Sequence, residues 1–244
     1  MMDLDKGIKH KISEYENILY NMDSIVFEDF LKKATDEQLA LLDDILNDDV
    51  QIVFVNSKSG TGKTQLAVLS AYALFLKKKK EMLYIVSPVE EDKMGFTKGD
   101  LKEKESKYMT PLHDALETMG QLPEYAIKDD RLIEEQKDKE VWCETKTHVF
   151  VRGSNIVNKT LIIEEAQNFT TNDLQKVLTR VHDNTKVIVI GHDGQIDLKH
   201  KGKSGFTRYI EHFEKYPRAR KHDLHRNFRG DLSQFADLIE YDKK

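Results

Sequence analysis

Short runs rich in Val, Ile and Leu punctuate this chain at residues 51–55, 82–86, 148–152, 160–163 and 186–190, with a weaker one at 221–224. Their length and β-branched content predict strands, and their near-continuous apolarity predicts a sheet buried on both faces. Patterns with helical spacing separate most of them, over residues 62–76, 111–119, 172–181, 206–215 and 231–239. Upstream, weakly amphipathic helical stretches at 9–20 and 25–33 lead to Thr35, which stands three residues before Gln38. That is the spacing of a capping box, and a helix over 36–46 should follow it. Strands alternating with helices predict an α/β domain built on a mostly parallel sheet with helices on both faces. The domain is assigned to residues 35–244, preceded by a short helical extension over 1–34. The charged stretches 90–107 and 128–139 read as surface excursions, and no interior domain boundary is visible.

Composition narrows the class. A length of 244 residues suits one such domain with a substantial core. With 39% apolar residues, 33% charged and 4 prolines, the chain reads as globular. The single cysteine, Cys143, excludes an internal disulfide framework and a Cys-rich zinc site. The opening MMDLDKGIKHKISEYENI lacks the apolar segment of a secretory signal. The longest nearly apolar stretch, 66–76, falls short of the roughly 20 residues that cross a bilayer. A cytoplasmic protein with no membrane partner is expected. The nine histidines show no HExxH spacing, so no zinc site is assigned. The net charge of −5 conceals a polarity: residues 35–49 hold six acids and no base, whereas 199–229 hold ten Lys or Arg against three acids. A basic stretch of that kind can hold phosphates or nucleic acid, and surface charge balancing the acidic helix is the simpler use.

The strongest chemical signal is QIVFV-NSKSGTGKT-QLAVLSAYALFL, a strand, a loop and an apolar helix in succession. Glycines let consecutive backbone N–H groups turn inward around phosphates, and the helix N-terminus adds its positive end. The binding loop is assigned to Ser57, Lys58, Ser59, Gly60, Thr61, Gly62, Lys63 and Thr64. Lys63 would reach the outer phosphates and the Thr64 hydroxyl would ligate Mg²⁺. The first glycine of the usual loop pattern falls at Ser57.

Two further strand ends carry chemistry. The run 160–163 ends in Glu164 and Glu165. In nucleoside triphosphatases of this architecture the first acid holds Mg²⁺ and the second polarises the attacking water. The strand 186–190 ends at Gly191-His192-Asp193-Gly194-Gln195. Strand C-termini converge on the ligand crevice of open α/β sheets, so Gln195 is a candidate to hydrogen-bond a γ-phosphate or orient water.

These motifs, in this order, resemble the PhoH-like family of phosphate-starvation-inducible ATPases, whose nucleotide domain is similar to the first core domain of superfamily-one helicases. The resemblance runs from about residue 35 to 238. Thr35-Asp-Glu-Gln38 resembles the family's upstream Gln motif, which implies that Gln38 reads the adenine edge. The most family-specific stretch combines Ser87-Pro88-Val89, Gly95-Phe96 through Lys104, and Tyr108 through Leu116. Val151-Arg152-Gly153 precedes the acidic strand, Glu164-Glu165-Ala166-Gln167-Asn168 resembles the family's Asp-Glu-Ala-Gln-Asn, and Leu178-Thr179-Arg180 follows. Leu224-His-Arg226-Asn227-Phe228-Arg229 resembles a helicase motif whose last Arg contacts the γ-phosphate, so Arg229, or Arg226, is assigned to neutralise charge there. Four positions depart from the pattern: Ser57 for Gly, Ser87 for Arg, Glu164 for Asp and His192 for Asp. They bear on turnover rate more than on nucleotide binding.

The resemblance implies a RecA-like P-loop fold and an ATP-binding, Mg²⁺-dependent ATPase. RNA or single-stranded DNA is a candidate partner through residues 199–229. Two other readings stay open: an ATP-dependent RNA helicase working as an assembled ring of this chain, and a degenerate ATP-binding module that regulates a partner with little turnover.

Overall fold

The computed structural model describes residues 30, 32–87, 109–151, 153 and 155–236. Most of the helical extension expected over 1–34, and most of the family-specific stretch from Pro88 to Tyr108, lie outside the described residues. Phe30, Lys32 and Lys33 are helical, and Phe30 and Ala34 pack against the domain core.

Six strands form one sheet: β1 (Ile52–Ser57), β2 (Glu81–Val86), β3 (Cys143–Thr147), β4 (Lys159–Ile163), β5 (Lys186–Gly191) and β6 (Ala219–Leu224). Their spatial order is β3-β2-β4-β5-β1-β6, and every pairing is parallel. The expectation of a mostly parallel sheet thus becomes an entirely parallel one among the described strands. α1 (Asp36–Leu46) precedes β1; α2 (Lys63–Lys78), α3 (Thr110–Thr118), α4 (Thr171–Leu178) and α5 (Phe206–Phe213) lie in the connections, and α6 (Asp231–Ala236) follows β6. Two four-residue helical turns, Pro123–Ala126 and Ile133–Gln136, lie between α3 and β3.

Alternation along each strand divides the core in two, because successive side chains point to opposite faces. Val53, Val55, Met82, Tyr84, Ile162 and Ile188 face α1, α2 and α3. Ile52, Phe54, Leu83, Leu161, Val187 and Val189 face α4 and α5. α2 is buried almost all round, which explains why its sequence is apolar without a polar stripe. α1 starts at the capping box read from sequence: Thr35 Oγ1 accepts from Gln38 N at 3.2 Å, and Gln38 Oε1 accepts from Thr35 N at 3.1 Å.

The strand expected at 148–152 is displaced. The third strand is Cys143–Thr147, and His148–Val151 forms a 3₁₀ turn instead. β3 pairs only with β2 among the strands, at the sheet edge, so Glu144, Thr145 and Lys146 are half-buried and its polar sequence hides it from a search for apolar runs. β6, the other edge, begins at Ala219 and not at 221, for the same reason. The helices expected to reach 181 and 215 stop at Leu178 and Phe213.

The second layer depends on one glycine. A Cβ at Gly205 would lie 2.6 Å from Thr171 Cα and 2.7 Å from Thr171 N, both backbone atoms that cannot swing aside. Gly205→Ala should therefore lower folding stability by about 2 kcal/mol or more. A denaturation midpoint equal to that of the parent would contradict this.

Candidate functional site

β1 hands the chain to α2 through a loop that needs left-handed backbone at Gly60 (φ 83°) and Gly62 (φ 76°), where only glycine is unstrained. The turn aims the free N–H groups at the start of α2 toward one point above the sheet. Lys63 is largely buried, and its Nζ donates to the Lys58 carbonyl at 3.1 Å. Thr61 Oγ1 donates to the same carbonyl at 3.1 Å. Gln38 supports the loop from below: its Nε2 donates to the Thr61 carbonyl at 3.0 Å and would lie 3.1 Å from a Cβ on Gly62. Both ends of the Gln38 amide are thus engaged within the chain, one in the helix cap and one on the loop. Gln38, expected from the resemblance to read an adenine edge, thus also braces the phosphate loop.

The acid pair meets this loop. Thr64 Oγ1 donates to Glu164 Oε1 at 3.0 Å. Glu164 is 2% exposed, and its carboxyl is pushed up to about 7, chiefly by burial and then by the adjacent charge of Glu165. Lys63 and the hydroxyls of Thr64 and Tyr84 oppose that rise. Glu164 Oε2 and the buried Tyr84 hydroxyl are neighbours, close enough for the hydroxyl to ease the carboxylate charge, yet neither atom meets strict hydrogen-bond geometry with a described residue. A buried carboxylate with an unsatisfied oxygen, beside a hydroxyl and a phosphate loop, is the donor set a hard divalent cation takes. Glu165 adopts a left-handed conformation (φ 52°, ψ 43°), which turns its side chain out to solvent while Glu164 stays inside.

Gln167, quoted in the motif but given no role from sequence, links the two strand ends. Its Nε2 donates to Glu165 Oε2, and its Oε1 accepts from His192 N at 3.0 Å. Asn168 does the same one residue on, accepting from Asp197 N at 2.8 Å. Two adjacent amides one residue after the two acids, just beyond an apolar strand, are the sequence signal that could have found them. The turn after β5 is also tied to β1: Asn56 Nδ2 donates to Asp193 Oδ2 at 3.0 Å, and Asp193 N donates to Asn56 Oδ1 at 3.2 Å. Gln195 lies exposed in this turn, its N–H donating to the His192 carbonyl at 3.1 Å.

The two candidate arginines are separated. Arg229 Nη1 donates to Ser59 Oγ at 2.7 Å, on the phosphate loop. The Arg226 guanidinium instead lies 4.9 Å from the centre of the Phe228 ring. Between the loop, the β5 turn and the segment after β6 lies a cavity of about 400 Å³, whose lining includes Lys58, Thr61, His192, Asp193, His225 and Asn227. A second cavity, of about 370 Å³, sits at the opposite edge of the sheet by Trp142 and shares no residue with this site.

Some groups of the basic stretch meet the acidic helix and the turn that follows it. His222 Nε2 is 2.8 Å from Asp44 Oδ2, His225 Nδ1 is 2.8 Å from Glu37 Oε1, and Arg218 Nη2 donates to the Asp48 carbonyl at 3.2 Å. His225 holds the Glu37 carboxyl below its ordinary value through these hydrogen bonds. Lys199, Lys201 and Lys203 stay exposed in the connection from β5 to α5. Among the described residues no helix is long and apolar enough to cross a membrane.

Comparison with known proteins agrees with the geometry. The chain is 29% identical over 210 residues to Protein PhoH2 of Bacillus subtilis (strain 168), covering 83% of this chain and 46% of that one. It is 36% identical over 156 residues to a PhoH-like protein of Synechocystis sp., covering 63% and 45%, and 30% identical over 168 residues to Protein PhoH of Escherichia coli (strain K12), covering 67% and 45%. The chain therefore spans about half the length of these curated relatives. Among solved structures, the Pif1 helicase from Candida albicans aligns over 84% of this chain and 42% of its own, at 20% identity and a TM-score of 0.42. The PhoH-like protein family matches residues 30–234, and with its all-parallel RecA-like sheet and its phosphate loop the chain belongs to that family.

Proposed function

We propose that this chain binds ATP and hydrolyses it with Mg²⁺. The observation that carries the reading is the 3.0 Å approach of Thr64 Oγ1 to the buried carboxylate of Glu164, at the mouth of a glycine-turned phosphate loop. Lys63 and the loop N–H groups bind the phosphates. Thr64 and Glu164 would hold the cation, which when bound neutralises phosphate charge. Glu165, exposed at the same strand end, takes a proton from the attacking water. Arg229, which donates to Ser59 Oγ on the phosphate loop, and Gln195, in the turn after β5, would contact the terminal phosphate. The test is phosphate release by purified protein with ATP, with and without Mg²⁺. Binding without Mg²⁺-dependent release would instead favour the regulatory, low-turnover reading.

Coupling to a nucleic acid is the second reading, and the exposed Lys199, Lys201 and Lys203 favour it, because they follow directly on the β5 turn that borders the site. Single-stranded RNA or DNA held through three to five phosphates should lose affinity with salt at a log–log slope of roughly −2 to −3.5, about −0.7 per contact. Little sequence preference is expected, since phosphates carry none. Charge reversal at Lys201 and Lys203 together should remove binding and any stimulation of turnover while basal ATPase persists. Unaltered binding by that double variant would sink the assignment. Strand separation by an assembled ring would be a further step, tested by unwinding of a tailed duplex.

A further inference from the structure

We propose that Ser57 is a positioning residue: its hydroxyl fastens the segment after β6 to the phosphate loop and so sets Arg229 beside that loop. The inference rests on the hydrolytic reading above. Ser57 occupies the place where the usual loop pattern has glycine, a position at which a side chain looks like a defect.

Ser57 and Leu224 are the last register partners of the β1–β6 pair. At this point β1 bends away into the loop, and the buried Leu224 N–H at the end of the ladder takes a side-chain acceptor as well. Ser57 Oγ supplies it at 2.7 Å. Both residues are buried, 4% exposed each, so water is a poor substitute.

From that fixed point residues 225–229 lie along the loop, gripped at successive positions. Phe228 N donates to the Gly60 carbonyl at 2.8 Å, and Arg229 Nη1 donates to Ser59 Oγ at 2.7 Å. Gly60 has no Cβ, and one placed there would lie 2.7 Å from Asn227 Oδ1, so the bare glycine admits Asn227. The same Asn227 oxygen accepts from Arg229 N at 2.7 Å and orients the arginine backbone. Ser57, Ser59 and Gly60 thus hold a single segment, and the Ser57 hydroxyl holds its upstream end. A glycine at 57 removes the side-chain bond to the Leu224 N–H and loosens the start of the segment that carries Arg229.

The experiment uses Ser57→Gly, Ser57→Ala and Ser57→Thr, alone and combined with Arg229→Ala. Readouts are kcat and KM for ATP, affinities for ADP and for a slowly hydrolysed ATP analogue, and amide exchange at Leu224. The Gly and Ala variants should exchange Leu224 about tenfold faster or more, with the amides of Val53 and Phe54 unchanged. Their kcat should fall about tenfold or more at a KM within about twofold of the parent, since a misplaced charge costs rate more than binding. Ser57→Thr should keep most of the rate. In the background of Arg229→Ala, Ser57→Gly should add little further loss, because the hydroxyl acts through that arginine.

Full kcat in Ser57→Gly despite faster Leu224 exchange would overturn the proposal and leave Ser57 a purely structural contact. Unchanged Leu224 exchange, or additive losses in the double variant, would overturn it as well. Parent protein that binds nucleotide without turnover would defeat the hydrolytic reading separately. The positioning role would then stand or fall on whether Ser57→Gly loses the preference for the triphosphate analogue over ADP.

Discussion

Glu165→Gln should hold ATP as tightly as the parent, within about twofold, and turn it over about 10³-fold more slowly, within the range expected for loss of a general base. The amide is isosteric and its oxygen still accepts from Gln167 Nε2, so the strand end keeps its shape and only the proton acceptor disappears. Lys63→Ala should behave in the opposite way. It removes the buried ammonium of the loop, and the loss of a charge-assisted phosphate contact should weaken nucleotide binding by about ten- to a hundredfold. Nucleotide titration and single-turnover phosphate release, run side by side, separate the two. Equal loss of affinity in both variants would show that the division of labour between these residues is wrong.

Glu164→Gln should stabilise the nucleotide-free protein. The folded chain holds this carboxyl at about 7, against 4.5 for an unstrained glutamate. Below pH 4.5 the group is protonated in both states and carries no penalty. Between those values the folded state keeps a proton that the unfolded state has released, so stability falls as pH rises. Above pH 7 the penalty is complete, on the order of 3 kcal/mol at 1.36 kcal/mol per pKa unit. Glutamine carries no such charge and retains an oxygen for the Thr64 hydroxyl. The gap in melting temperature between variant and parent should open from near zero at pH 4.5 to roughly 6–12 °C by pH 8. A gap that does not widen with pH would mean that the buried charge is compensated in the folded protein. The same variant should lose cation-dependent hydrolysis, a stability–activity trade-off confined to one side chain.

The chemistry of this chain was more legible than its edges. The apolar runs that became β1, β2, β4 and β5 announce themselves because both of their faces are buried, and the capping box at Thr35 and Gln38 is a local pattern with a local cause. β3 did not, since Cys-Glu-Thr-Lys-Thr buries only its two ends and reads as a loop, while the apolar His148–Val151 beside it drew the strand assignment. The glycine-turned loop and the acid pair are compact local patterns, so the sequence displays them directly. The long-range contacts around them were invisible: Thr64 meets Glu164 across 100 positions and Ser57 meets Leu224 across 167. Such pairs have no period and no composition, and only the fold creates them. Gln38 shows what a motif alone leaves out, since its amide also bonds Thr35 and Thr61 within the fold.

The strand order has a consequence for how the molecule comes into being. β1 carries the phosphate loop, yet it pairs with β5 and β6, so Ile52 must wait for Val187 on one side and Ala219 on the other. During synthesis the apolar β1 and α2 emerge early and remain with both strand edges bare until most of the chain has followed. Non-local parallel pairing of this kind is slow, and an uncovered apolar strand is a template for association with other chains. Chains ending before β5 should accordingly aggregate rather than accumulate as a partly working nucleotide binder. The β5–β1–β6 side of the sheet, which carries the phosphate loop, is the last part of the sheet to assemble.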